Sequence, residues 1–99
     1  MPLKINNYNE MKTQVLTKEK IQQDLLQFLC RQFFVDLEDI EIDKSLVDTG
    51  IIDSMGLIEI ASYIQKEHDF KVTNDQMNRD NFGSVLKIVD FISNNTLMK

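Results

Sequence analysis

A chain of 99 residues with 42% hydrophobic content builds one small domain around one modest core, too little protein for a deep enzyme cleft. Its formal charge of -5, from 16 acids against 11 bases, repels polyanionic nucleic acid and favours basic partners. The lone cysteine, Cys30, allows no internal disulfide, no basic-then-apolar leader opens the chain, and no apolar run approaches the roughly 20 residues of a membrane span; a reducing cytoplasm is the expected location.

Residues 1–16 are polar and Asn-rich and are expected to form a flexible extension; the folded domain is expected over 17–95, with a short tail at 96–99. From Lys18 to Phe33 the apolar residues Ile21, Leu25, Phe28, Leu29 and Phe33 recur three and four apart, which predicts an amphipathic helix with Thr17 as its N-cap. Cys30 lies inside it and reads as a small packing residue, because no histidine stands near it in sequence. Val35 to Asp53 reads as a long extended loop, anchored on the helices by Leu37, Ile40, Ile42 and Leu46. Within it, Ser45-Leu46-Val47-Asp48 has the form of a single helical turn, which Gly50 stops.

A second helix is predicted from Ser54 to His68, with Leu57, Ile60, Ala61 and Ile64 on its inner face. Phe70 and Val72 then tuck a turn against the core. Thr73 with Gln76 matches a capping box and predicts a short helix near Asn74 to Arg79. The last helix is placed from Phe82 or Ser84 to Asn94, with Asn81 as an available cap and Val85, Ile88, Val89 and Ile92 inward. The expected fold is all-α: a small four-helix bundle of three main helices and one short one.

No self-sufficient catalytic site is visible. His68 has no second histidine or paired cysteine to hold zinc with it. Its 14-residue separation from Ser54 along one helix is about 21 Å, beyond any Ser-His contact. The acidic loop lacks the glycine and glutamate of a calcium loop, and Gly50, Gly56 and Gly83 are too scattered for a phosphate loop. No metal and no catalytic residue is expected.

The chemistry concentrates at Asp53-Ser54-Met55-Gly56. Asp53 or Ser54 can cap the second helix. If Asp53 does so, the Ser54 hydroxyl is left free beside exposed backbone N–H groups and the positive end of the helix dipole, where an attached phosphodiester is stabilised. Gly56 costs a helix about 1 kcal/mol relative to alanine, a cost that close approach by another molecule would explain. Met55 and Ile58 point away from the inner face, where they either leave adaptable apolar groups beside the serine or, for Met55, simply cover the loop through Ile51 and Ile52. Residues 36–53 hold seven acids against one base and net -6, while the rest of the chain nets +1; this field steers a basic partner toward the serine end.

The stretch SLVDTGIIDSMGLIEIASYI resembles the signature of acyl carrier proteins and peptidyl carrier domains: an acidic loop, G-x-x-D-S, then an amphipathic helix. The resemblance runs from about Thr17 to Asn94 and includes the final NFGSVLKIVDFI helix. It implies a non-catalytic bundle on which a phosphopantetheinyl transferase places 4'-phosphopantetheine from coenzyme A, here on Ser54, so that the arm's thiol carries an acyl or aminoacyl thioester. It also implies docking of the transferase and of basic-faced loading enzymes, synthases or acyltransferases on Asp53, Met55, Gly56, Ile58, Glu59 and Ser62. D-S-M-G in place of D-S-L plus an acid is more similar to D-alanyl carriers and carriers of specialised biosynthesis, of polyketide or nonribosomal peptide type, than to those of primary fatty acid synthesis. A monomer is expected. The alternative is an unmodified helical interaction module, and the sequence leaves the cargo and its sequestration in the bundle open.

Overall fold

The computed structural model describes residues 17–96. The expected N-terminal extension and the end of the tail lie outside the described residues. Helix α1 spans Lys18–Phe33, α2 Ser54–His68, α3 Arg79–Phe82 and α4 Val85–Thr96, with 3₁₀ turns at Leu37–Asp39 and Asn74–Gln76. No strand occurs among the described residues, and the all-α bundle expected from periodicity is the fold.

Helix α1 starts as the sequence predicts: Thr17 is extended and its hydroxyl accepts the Lys20 N–H at 3.1 Å. Ile21, Leu25 and Leu29 are fully buried, Phe28 and Phe33 pack partly against the core, and the free Cys30 is half-buried among them. The helix stops at Phe34, whose φ of 56° and ψ of 47° lie in the left-handed region that glycine ordinarily fills at this position. Helix α1 packs most extensively along α4, and Phe28 stacks on Tyr63 of α2 with ring centroids 4.2 Å apart.

The long loop is held by its backbone. Leu46 N–H donates to the Gly83 carbonyl at 3.0 Å, and the Leu46 carbonyl accepts from Ile51 and Ile52 at 3.0 and 3.2 Å. The Ile42 carbonyl accepts the Leu86 N–H at 3.1 Å, satisfying a donor in the first turn of α4 that no helical carbonyl can reach. The predicted single turn forms: the Ser45 hydroxyl accepts the Asp48 N–H at 3.0 Å, and Gly50 ends it with a φ of 84°. Ile40 and Leu46 are buried and Ile42 half-buried, as expected. Leu37 is not an anchor. It stands 58% exposed, because the 3₁₀ turn that begins there aims it over α1 into an open groove with Leu26 and Cys30, and Ile40 enters the core instead.

Helix α2 has the predicted bounds and buries Ile60, Ala61 and Ile64, with Leu57 partly covered. Val72 is buried and Phe70 lies 5.8 Å from Phe91 between centroids. The Gln76 side chain accepts the Thr73 N–H at 2.9 Å, as in a capping box, but the helix expected over Asn74 to Arg79 is replaced by two shorter pieces. After the 3₁₀ turn the chain bends at Met77, and Asn78 starts α3 by accepting the Asn81 N–H at 3.0 Å. Asn81 is therefore not the cap of the last helix; its side-chain amide donates to the Gln76 carbonyl. That cap is Ser84, whose hydroxyl accepts the Lys87 N–H at 3.2 Å. Val85, Ile88, Val89 and Ile92 all face the core, joined by Phe91.

His68 closes α2 with its Nε2 buried and lacking a hydrogen-bond partner among the described residues. Burial holds the imidazole below its usual pKa, with Glu67 and Asp24 acting in the opposite direction. The unfolded chain accepts a proton near pH 6.5, so the stability tied to neutral His68 is complete above about pH 6.5 and declines as pH falls through the lower folded value. Urea unfolding of wild type is expected to become easier as pH falls below about 6.5, and His68→Gln is expected to flatten that part of the profile.

Candidate functional site at the start of helix α2

The loop delivers Asp53 to the first turn of α2 in extended conformation, and its carboxylate accepts the Gly56 N–H at 3.0 Å. Capping is thereby assigned to Asp53. Ser54, the first helical residue, is exposed, and its hydroxyl makes no hydrogen bond with another described residue. The helix dipole and the unsatisfied N–H groups of this 15-residue helix favour negative charge at that point.

Other serines differ in ways that matter chemically. Ser45 and Ser84 each spend their hydroxyl oxygen on a backbone N–H, and Ser93 is buried. Ser62 is exposed, but lies midway along α2, where the backbone donors are already used. Among the described residues, exposure and a helix N-terminus coincide at Ser54.

Ser54 also borders a cleft of about 320 Å3 between the loop, α2 and α3. Val47, Leu57, Met77 and Phe82 supply its apolar walls, and Arg79 its positive charge. The Arg79 guanidinium pairs with Asp48 at 3.2 Å, joining α3 to the acidic loop. No local sequence signal marks these walls as one site, since three separate segments contribute them.

The remaining candidate residues separate. Met55 is 63% exposed and Ile58 49% exposed, beside the serine as expected. Ile58, Glu59 and Ser62 line a second groove of about 420 Å3 facing α1, where Glu59 accepts a 2.6 Å hydrogen bond from Gln32. Gly56 does not join this outer surface. It is buried, and a Cβ there would lie 2.8 Å from Ile52 Cβ and 3.2 Å from Phe33 Cε1. The glycine admits the chain's own loop and α1 instead of a partner. His68 stands at the far end of α2 from Ser54.

Residues 23–92 match the family described as "Phosphopantetheine attachment site". The chain belongs to this family. D-alanyl carrier proteins are among its relatives: that of Streptococcus sanguinis (strain SK36) is 27% identical over 73 residues, and that of Streptococcus mutans serotype c (strain ATCC 700610 / UA159) 29% identical over the same length. Each alignment covers 74% of this chain and 91% of the relative. No solved structure matches. Covalently attached phosphopantetheine is the cofactor of such a carrier, and an exposed hydroxyl at a helix start, opening on a mostly apolar cleft, fits a phosphodiester followed by a slender arm.

Two sets of variants test this local architecture. Asp53→Ala is expected to lower the unfolding free energy by about 1 kcal/mol through loss of the cap, whereas Ser54→Ala is expected to stay within about 0.5 kcal/mol of wild type with unchanged helical circular dichroism. Gly56→Ala gains about 1 kcal/mol of helix propensity but overpacks Ile52 and Phe33 at a cost of about 1–3 kcal/mol. Denaturant titration is expected to show net destabilisation.

Proposed function

We propose that Ser54 carries the 4'-phosphopantetheine arm and that the protein shuttles thioester-bound acyl or aminoacyl groups between biosynthetic enzymes. The observation that carries this reading is the division of labour at the helix start: Asp53 supplies the cap, so the Ser54 oxygen is exposed and unengaged. A phosphopantetheinyl transferase would join that oxygen to the phosphate of the arm, breaking the phosphoanhydride of coenzyme A with release of adenosine 3',5'-bisphosphate and of the serine's proton. The chain's own part is to present the hydroxyl, to stabilise the resulting negative charge with the α2 N-terminus, and to receive enzymes on the surface around Asp53, Met55, Ile58, Glu59 and Ser62. The arm's thiol supplies the acyl attachment.

The similarity to D-alanyl carrier proteins supports an aminoacyl or specialised-biosynthesis cargo over a role in primary fatty acid synthesis. The D-S-M-G sequence supports the same assignment. Charge supports the partner class, since residues 36–53 place a net -6 immediately before Ser54 and favour transferases and loading enzymes with basic docking faces. The protein is proposed to act as a cytoplasmic monomer; no helix among the described residues is long and apolar enough to cross a membrane.

Incubation with coenzyme A and a promiscuous phosphopantetheinyl transferase is expected to raise the intact mass by one phosphopantetheine, localised by peptide mapping to Ser54. Ser54→Ala is expected to abolish the increase. An unchanged wild-type mass, while a control carrier is fully converted, together with a stable partner that binds Ser54→Ala equally well, would establish an unmodified interaction module instead.

A further inference from the structure

The cleft at Ser54 has an electrostatic problem that the unmodified protein does not face. A phosphodiester on Ser54 adds a full negative charge beside the Asp53 carboxylate and next to a loop that already nets -6. Of the residues lining the cleft, Arg79 alone is cationic. Its guanidinium is engaged 3.2 Å from Asp48, in a pair whose members are 73% and 61% exposed. Such an exposed pair is held weakly and exchanges partners readily. Arginine's planar fork suits two oxygens of one phosphate, so a phosphodiester in the same cleft is a stronger competitor than a single exposed carboxylate.

We propose that Arg79 is a switchable counter-ion: Asp48 holds it in the unmodified protein, and the Ser54 phosphodiester takes it once the arm is attached. This rests on the reading that Ser54 is the attachment residue. Two consequences follow for recognition. Modification removes the bridge between the acidic loop and α3, and it leaves Asp48 as an unpaired carboxylate on the surface that precedes the serine. Enzymes that load the arm thus meet a loop different in charge from the one the transferase meets, by the freed carboxylate in addition to the phosphate itself.

The test compares unmodified and modified full-length protein by NMR, with intact mass and peptide mapping recording modification of Ser54, in wild type, Asp48→Asn, Arg79→Gln and Arg79→Lys. In unmodified protein, Asp48→Asn is expected to shift the Arg79 Nε–Hε resonance. In modified protein the same substitution is expected to leave that resonance at the wild-type modified position. The ³¹P resonance of the phosphodiester is expected to move in Arg79→Gln, to move less in Arg79→Lys, and to stay put in Asp48→Asn. A ³¹P signal indifferent to Arg79→Gln, or an Arg79 resonance that still follows Asp48 after modification, overturns the switch while leaving attachment at Ser54 intact. Absence of any mass increase on Ser54, alongside conversion of a control carrier, removes the attachment reading and the switch with it.

Discussion

The backbone of Leu46 ties the functional end of this protein together. Its N–H reaches the Gly83 carbonyl between α3 and α4, its carbonyl collects the N–H groups of Ile51 and Ile52, and its side chain is fully buried. These bonds convert a 20-residue acidic connection, which would otherwise sample many conformations at an entropic cost, into a fixed strap. The strap ends at Asp53, so the direction in which α2 begins, and hence where the Ser54 hydroxyl points, follows from contacts made seven residues earlier. The Ile42 carbonyl on Leu86 repeats the device from the other side, since the strap there completes the first turn of α4. Neither the strap nor that turn satisfies its backbone groups alone.

At the helix start, two adjacent polar residues have distinct duties. Asp53 carries charge and reach, and its carboxylate takes the Gly56 N–H. Ser54 keeps its oxygen because its neighbour has done the capping. Gly56 completes the arrangement from beneath: with no Cβ, it lets Ile52 and Phe33 close under the first turn. The surface around the serine is then supported by packing on its inner side and remains open on its outer side, where Met55 and Ile58 stand exposed. The negative potential of the loop and the positive end of the α2 dipole meet here, so a negative group added at this point is favoured by the helix and opposed by the loop.

Much of this was legible in the sequence because it is local. The three-and-four spacing of Ile21, Leu25 and Leu29, and of Ile60, Ala61 and Ile64, marks faces that the structure buries, and Thr17, Asp53 and the Thr73–Gln76 pair act within three residues of themselves. What escaped depends on distant segments. Leu37 has the hydrophobicity of an anchor, but the 3₁₀ turn gives its core place to Ile40. Gly56 is explained by Phe33, 23 positions away, and cannot be understood from its own helix. The break at Met77 and the pairing of Arg79 with Asp48, 31 positions apart, likewise carry no periodic signal. A serine that starts a helix could be read from the chain; the cleft beside it could not.

Helix α1 fixes one further property of the molecule. Phe33, its last residue, sits under Gly56 at the serine end, so the 16-residue helix runs back about 24 Å to a start at Lys18, where the lysine makes an exposed ion pair with Asp90 of α4. Whatever is joined ahead of Thr17 enters at the opposite pole. A fusion partner, an affinity handle or a leash to a surface placed there would leave the Ser54 end facing outward, with the bundle itself as the spacer.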